Sequence, residues 1–283
     1  MPWFKEYSLT LAEPLLLMSM SLFFLAYTLL SQPLLLLKGP SSFRSKWFER
    51  MYAYLGPQMA SSPLQIDYIE SVMSQAHGLV LELGPGNGDQ TFHLKANKIE
   101  KVYGAEPNEH FHASLVAKAK EIGLGDKYLP MKAGAEPQSL LPALQDAGLL
   151  PGTMTRLPEE GVFDSIVTIK SMCSAPQSQL PKTIEVIRAL LKPGGQFLFF
   201  EHLQSDASFI TQCYVWIINL FLWPALMGGC RLDGKLDKVI AGMSGWETRK
   251  MENIREYQGH EVFRYMKGVC TRHDASSELR EYT

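Results

Sequence analysis

Three glycines at alternate positions, Gly84-Pro85-Gly86-Asn87-Gly88, follow an apolar run that ends Leu81-Glu82-Leu83. One βα unit further on, Val102-Tyr103-Gly104-Ala105-Glu106-Pro107 closes a second apolar run on an acid. Glycine lets a backbone pass close to a ligand where a Cβ would collide. A carboxylate at Glu106 can accept hydrogen bonds from both hydroxyls of a ribose. Together these features describe the nucleotide end of a doubly wound α/β sheet. The dinucleotide fingerprint G-x-G-x-x-G rests a pyrophosphate on a helix N-terminus. Here Asp89 stands at the third-glycine position, where an acid repels pyrophosphate. A phosphate-free, cationic sulfonium cofactor loses nothing there, and Glu82 would favour its amino group. The pattern therefore fits S-adenosylmethionine better than a nicotinamide; the plainer alternative is a glycine turn with no ligand.

Strands and helices must position these groups. Leu64–Met73 has apolar residues at helical spacing, and His110–Ile122 reads as an amphipathic helix closed by Gly123-Leu124-Gly125. Tyr128–Lys132 reads as a third strand. The Gly134-Ala135-Glu136 turn after it offers the Ala135 N–H and the Glu136 carboxylate to an adenine edge, or else is a solvated loop. Pro137–Gly161 is long enough for a lid or an insertion and holds a short helix over 140–147. Phe163–Ile169 is a fourth strand, followed by Lys170-Ser171-Met172-Cys173-Ser174. Leu180–Leu191 is helical by period. The turn Lys192–Gly195 leads into a fifth strand, Gln196–Phe200, that ends in Glu201-His202. The carboxyl ends of parallel strands face the ligand crevice, which puts Ser171 beside the cofactor and His202 at the acceptor side. His202, oriented by Glu201, is the candidate general base; a strand-capping role is the alternative. Cys173 either touches the acceptor or packs. Trp246–Glu252 and Val262–Thr271 alternate as an antiparallel pair, and Asp274–Thr283 is a polar tail.

The 283-residue chain is 46% hydrophobic with a formal net charge of -2 and no basic block, which argues against a nucleic-acid partner. Its four cysteines, Cys173, Cys213, Cys230 and Cys270, form no CxxC pair, so their spacing indicates no metal site. Pro14–Leu37 is uncharged and about long enough to cross a bilayer, ending or kinking near Pro33. A signal peptide and a buried helix are the alternatives. Lys38, Arg44, Lys46 and Arg50 behind it place the C-terminal domain in the cytosol, whether the segment spans or lies in one leaflet. Residues 39–63 read as a linker, with Tyr52, Tyr54 and Met59 either covering the cofactor site or packing. Phe209–Met227 is also uncharged; it would line an apolar substrate pocket, touch the membrane in plane, or be core.

The ordered set ELGPGNG, AEPN, GAE, FDSIV and LLKPGGQFLFFEH resembles the class I S-adenosylmethionine-dependent methyltransferases over residues 64–272. More closely, the chain is similar to the membrane-anchored thiol methyltransferase-like (methyltransferase type 11) group. That group shares an N-terminal apolar anchor, a PGG-x-F-x-F-x-EH strand and a Trp…Gly-Cys-x-Leu segment, here Trp223…Gly229-Cys230-Arg231-Leu232. Glu106 replaces the commoner Asp, and Pro137–Gly161 and the tail are longer than in that group. The resemblance implies a Rossmann-like, mainly parallel seven-stranded sheet with helices on both faces, behind an anchor at residues 1–38. It implies a transferase held at the endoplasmic reticulum or a related membrane, with S-adenosylmethionine contacted by Glu82, Gly84, Pro85, Gly86, Gly88, Glu106, Pro107, Ala135, Glu136 and Ser171. Asn-Pro-Pro-Tyr is absent after strand four, which favours sulfur or oxygen of a small apolar acceptor over a planar amine. An O-methyltransferase of secondary metabolism and a non-catalytic scaffold with the same fold are the competing readings.

Overall fold

The computed structural model describes residues 2–152, 157–254 and 261–273, with 2–9 described by backbone only. The expected polar tail, 274–283, and the centre of the expected lid, 153–156, lie outside the described residues. Seven strands form one sheet: β1 (Gly78–Leu83), β2 (Ile99–Ala105), β3 (Tyr128–Met131), β4 (Phe163–Ile169), β5 (Leu191–Leu203), β6 (Trp246–Ile254) and β7 (Arg264–Arg272). Their order is β3-β2-β1-β4-β5-β7-β6. All neighbours are parallel except the pairs that β7 makes with β5 and β6. This is the expected class I methyltransferase architecture. Chain order reverses between β1 and β4, so a crevice opens at their carboxyl ends.

Alternation along the strands divides the core between two faces. Leu81, Leu83, Tyr103, Phe163, Phe197 and Phe199 pack with α5 (Pro137–Asp146), α6 (Leu180–Leu190) and α9 (Leu236–Gly242). Val80, Val102, Val167, Leu198 and Phe200 pack with α3 (Ile66–Met73), α4 (His112–Glu121) and α7 (Phe209–Phe221). Between β1 and β2 stand two one-turn 3-10 segments, Thr91–His93 and Ala96–Lys98, so no α-helix end is aimed at the glycine turn. The expected Lys192–Gly195 turn lies inside β5 as a bulge: Phe163 pairs with Leu191 and Ser165 with Gln196.

Residues 39–63 are mostly helical. Pro40–Ala60 is a helix, α2, started by proline in its first turn and buried along Phe43, Trp47, Met51 and Leu55. Their four-residue spacing is a helical stripe that the aromatic and polar composition masks. The N-terminal run is a helix, α1 (Pro2–Ser31), stopped ahead of Pro33, and its Thr10–Ser31 part is long and apolar enough to cross a membrane. One side of it is fixed to the domain. Met18 enters the core, Trp47 Nε1 donates to the Ser21 carbonyl at 2.8 Å, and Tyr214 Oη donates to the Leu11 carbonyl at 2.8 Å. Ser21 Oγ donates at 2.6 Å to the Leu226 carbonyl of the short helix α8 (Trp223–Leu226).

Candidate active site

The glycine turn at the end of β1 is held by its own backbone. Gly84 N–H donates to the Ala105 carbonyl at 2.9 Å, and Gly88 N–H to the Pro85 carbonyl at 3.0 Å. Gly84 has φ +64°, and a Cβ there would stand 2.4 Å from the Ser171 Cβ. Gly86, at φ +57°, donates its N–H to Glu106 Oε2 at 3.0 Å, while Glu106 Oε1 accepts the Asn108 N–H at 2.8 Å. Each carboxylate oxygen accepts up to two hydrogen bonds, so both keep a lone pair for a ligand. Asn108 Nδ2 donates to the Ser45 carbonyl at 2.9 Å and ties α2 to the site.

A cavity of about 420 Å³ lies over this turn. Of the expected residues, Gly84, Gly86, Glu106, Pro107, Ala135, Glu136 and Ser171 line it. Glu82, Pro85 and Gly88 do not. Pro85 and Gly88 brace the turn from behind. Glu82 is buried beneath it, where Tyr128 Oη donates to it at 2.6 Å and Thr91 Oγ1 at 3.2 Å. Both donors hold the Glu82 carboxylate within the core. Asp89 at the third-glycine position is neutralised by an ion pair with Lys118.

Burial raises both inner carboxyls. Desolvation lifts Glu82 to about 7 against the donors Tyr128 and Thr91, and Glu106 to about 7 against the Asn108 and Gly86 N–H groups. An acid whose folded pKa exceeds its unfolded value of 4.5 stabilises the fold most below that value. The contribution is lost as pH rises through about 7. Glu82→Gln, neutral at every pH, is therefore expected to gain stability over the wild type between pH 5 and 8, on the order of 1–2 kcal/mol. Paired urea titrations at the two pH values check this, and a constant difference would refute it.

A second cavity, about 310 Å³, adjoins the first and shares Phe48, Tyr52, Lys170 and Ser174 with it. Its walls join the apolar Met51, Leu55, Trp223, Met227 and Phe263 to the polar Glu13, Gln58, Gln65 and His202. Phe48 and Tyr52 stack 5.7 Å apart, and Tyr52 meets Phe111 edge-on at 5.8 Å. Burial, with Asp89 and Glu106 nearby, holds the Tyr52 phenol well above its ordinary range, so it stays neutral. Lys170, at φ 53°, is the one non-glycine residue with positive φ among those described. Such a conformation costs about 1 kcal/mol or more and clusters at functional sites.

His202 lines this second cavity, but Glu201 does not orient it. Successive strand residues point to opposite faces. The Glu201 carboxylate accepts instead from Thr168 Oγ1 (2.7 Å) and the N–H groups of Ser171 (3.0 Å) and Met172 (3.1 Å). It braces the loop after β4. His202 Nε2 lies 3.2 Å from Cys230 Sγ, with Cys173 beside them. A hydrogen bond with Cys230, together with burial, holds the Cys173 thiol protonated. Of the Phe209–Met227 stretch, Trp223 and Met227 line the cavity, whereas α7 buries Val215 and Ile218 and exposes Phe209, Trp216, Leu220 and Phe221.

Ser45 and Phe48 carry no signal of their own in the sequence, and Arg44 and Lys170 read there only as a flanking base and a strand-end residue. The spacing of Arg44, Phe48 and Tyr52 was the available sign, because positions four apart share one helix face.

A family model described as a methyltransferase domain matches residues 64–268. Comparison with curated proteins gives no match. Among solved structures, the chain is similar to an O-methyltransferase family protein from Burkholderia thailandensis (TM-score 0.54, 14% identity, covering 84% of this chain and 62% of that one). It is similar also to the N-methyltransferase NodS from Bradyrhizobium japonicum WM9 in complex with S-adenosyl-L-homocysteine (TM-score 0.53, 14% identity, 82% and 99%). A geranyl diphosphate methyltransferase in complex with SAM has TM-score 0.50 at 10% identity over 83% and 92%. At these identities the likeness is one of fold.

Proposed function

The chain belongs to the methyltransferase-domain family, and from that premise we propose that it methylates sulfur or oxygen of a small apolar acceptor at a membrane surface. It is an S-adenosylmethionine-dependent methyltransferase. The carrying observation is the pair of adjoining cavities, one with the Glu106 carboxylate and the glycine turn, the other apolar.

The residues of the first cavity fit the cofactor: glycines where a Cβ would intrude and an acid with lone pairs to spare. Bound S-adenosylmethionine supplies an activated methyl carbon. Glu106 would accept the ribose hydroxyls, and Ala135 and Glu136 would face the adenine edge. Phe48 and Tyr52 exclude water from the junction, and Lys170 and Ser174 form its floor. Alignment and desolvation of the acceptor then supply most of the catalysis. His202 is the one imidazole on the acceptor cavity among the described residues, and it takes the proton of an acceptor that arrives neutral.

Thermal shifts of the full chain in detergent test this, with S-adenosylmethionine, S-adenosylhomocysteine and NAD side by side. Saturation at about a hundred times the dissociation constant adds about 2.7 kcal/mol. Shifts with the first two alone, and transfer of a labelled methyl group to apolar thiols or phenols, are expected. Binding without transfer to either class would favour the scaffold reading instead.

Two exposed apolar faces support the membrane assignment. Leu16, Phe23 and Leu30 recur every seven residues along α1 at 67%, 65% and 82% exposure, and α7 adds its own outer face. Because the opposite side of α1 is bound to the domain, this reading has the helix lying in one leaflet. Replacing all three with arginine is expected to cut co-sedimentation with phospholipid vesicles at least tenfold while the thermal shift persists. Unchanged sedimentation would refute the assignment.

A further inference from the structure

Cys173, His202 and Cys230 come from separate elements: the 3-10 turn after β4, the end of β5, and the loop after α8. No two are near in sequence, so no ligand spacing is visible there. In the fold their sulfur and imidazole nitrogen atoms lie within 4.8 Å of one another. A tetrahedral ion at about 2.3 Å from sulfur and 2.0–2.1 Å from nitrogen holds its ligand atoms roughly 3.5–3.8 Å apart. The 3.2 Å between His202 Nε2 and Cys230 Sγ is a little shorter than that spacing, so this pair would open slightly as the triad closes on an ion.

The donor set selects the metal. Two thiolates and an imidazole suit zinc and exclude magnesium or calcium, which take oxygen. Three protein ligands with a vacant fourth position is the arrangement of reactive zinc, whereas structural zinc has four. Charge fits as well. Two thiolates, a neutral imidazole and Zn²⁺ sum to zero, which an apolar cavity tolerates far better than an uncompensated ion. Coordination would also deprotonate the thiols outright. Supporting groups are present. Trp223 Nε1 donates to Cys230 Sγ at 3.3 Å, the kind of outer hydrogen bond that orients a ligand. The buried His202 Nδ1 has no hydrogen-bond partner among the described residues, so Nε2, which faces Cys230, is the nitrogen that would hold the ion.

We propose that Cys173, His202 and Cys230 bind one zinc ion whose open position faces the apolar cavity and takes the acceptor as a thiolate. The use of the open position rests on the methyl-transfer reading; the metal site does not. The acceptor R–SH would lose its proton to solvent on binding zinc. A lone pair of the bound sulfur forms the new S–CH₃ bond as the sulfonium C–S⁺ bond breaks. That bonding pair returns to the sulfur of the departing S-adenosylhomocysteine. Zinc remains divalent, and the neutral thioether is a poorer ligand and leaves. His202 is then a metal ligand, and acidification by zinc replaces its role as base.

Metal analysis of the full chain, expressed with added zinc and purified in detergent, is the test. About one zinc per chain is expected, falling at least tenfold in a Cys173→Ser/Cys230→Ser double variant that still shows the S-adenosylmethionine thermal shift. Wild-type protein free of zinc, or a double variant that retains it, overturns the site. Should the variant not fold, wild-type chain loaded with Co²⁺ decides. A thiolate-to-cobalt charge-transfer band is expected, and its absence overturns the proposal. Adding an apolar thiol is expected to shift the cobalt d–d bands; unchanged bands overturn the open position. Loss of cofactor binding with zinc retained would count against the methyl-transfer reading alone.

Discussion

Glu106→Ala is expected to weaken S-adenosylmethionine binding at least a hundredfold and leave the fold standing. A hydrogen bond to a charged group contributes about 1.5–3 kcal/mol. Two ribose hydroxyls on one carboxylate therefore account for about 3–5 kcal/mol, where 1.4 kcal/mol is tenfold. The same carboxylate holds the Gly86 and Asn108 N–H groups, so its loss also loosens the turn. A pH signature separates this role from a steric one. With Glu106 raised to about 7 by burial, its acceptor form fades as pH falls from 8 to 6. Wild-type affinity should drop about tenfold over that range, and Glu106→Ala should show no such dependence. Calorimetric titration at both pH values checks the pair. Equal affinities of wild type and variant at pH 8 would remove Glu106 from the site.

Gly84→Val should be the most damaging single substitution in the turn. A non-glycine residue in the left-handed region costs about 1–2 kcal/mol, and a β-branched one more. Overlap with the Ser171 side chain, whose Cβ and Oγ lie 2.4 and 2.9 Å from the new Cβ, adds about 1–3 kcal/mol. The sum, about 3–5 kcal/mol, is a large share of a typical domain's stability. Cofactor binding should vanish with it. The two contributions are separable, because Gly84→Ala in a Ser171→Gly background meets no side chain and retains only the backbone cost. Urea unfolding of the four chains of that cycle measures the coupling. Additive effects would mean that Ser171 does not hold the turn in place.

The parallel half of the sheet was legible because buried central strands are continuous apolar runs with glycine or acid at their crevice ends. Leu79–Leu83 and Phe163–Ile169 carry that sign although Glu82, Asp164, Ser165 and Thr168 interrupt them. Of the antiparallel pair, β7 carries partial alternation, whereas β6 is buried only at Trp246 and Ile254. Helix α2 was not legible, because aromatic and aliphatic residues stand both on its buried stripe and along the cavities, so no clean polar stripe remains. The strand-end part of the first cavity could be read locally, whereas the wall that α2 adds through Arg44, Ser45 and Phe48 could not. Neither could the acceptor end. Cys173, His202 and Cys230 meet through three-dimensional packing of distant segments, and spacing in the chain carries no trace of that. Glu201 does not orient His202 because strand pleat turns the two neighbours to opposite faces.

The acceptor cavity takes part of its wall from the N-terminal helix, through Glu13 and Leu17. The same helix presents Leu16, Phe23 and Leu30 outward. On the proposed reading, attachment and acceptor selectivity thus fall on neighbouring faces of one rod. Exchanging that rod for another chain's anchor would reshape the acceptor chamber along with the attachment. Grafting it as a bare targeting tag would carry half of a binding site to a protein that has no use for it.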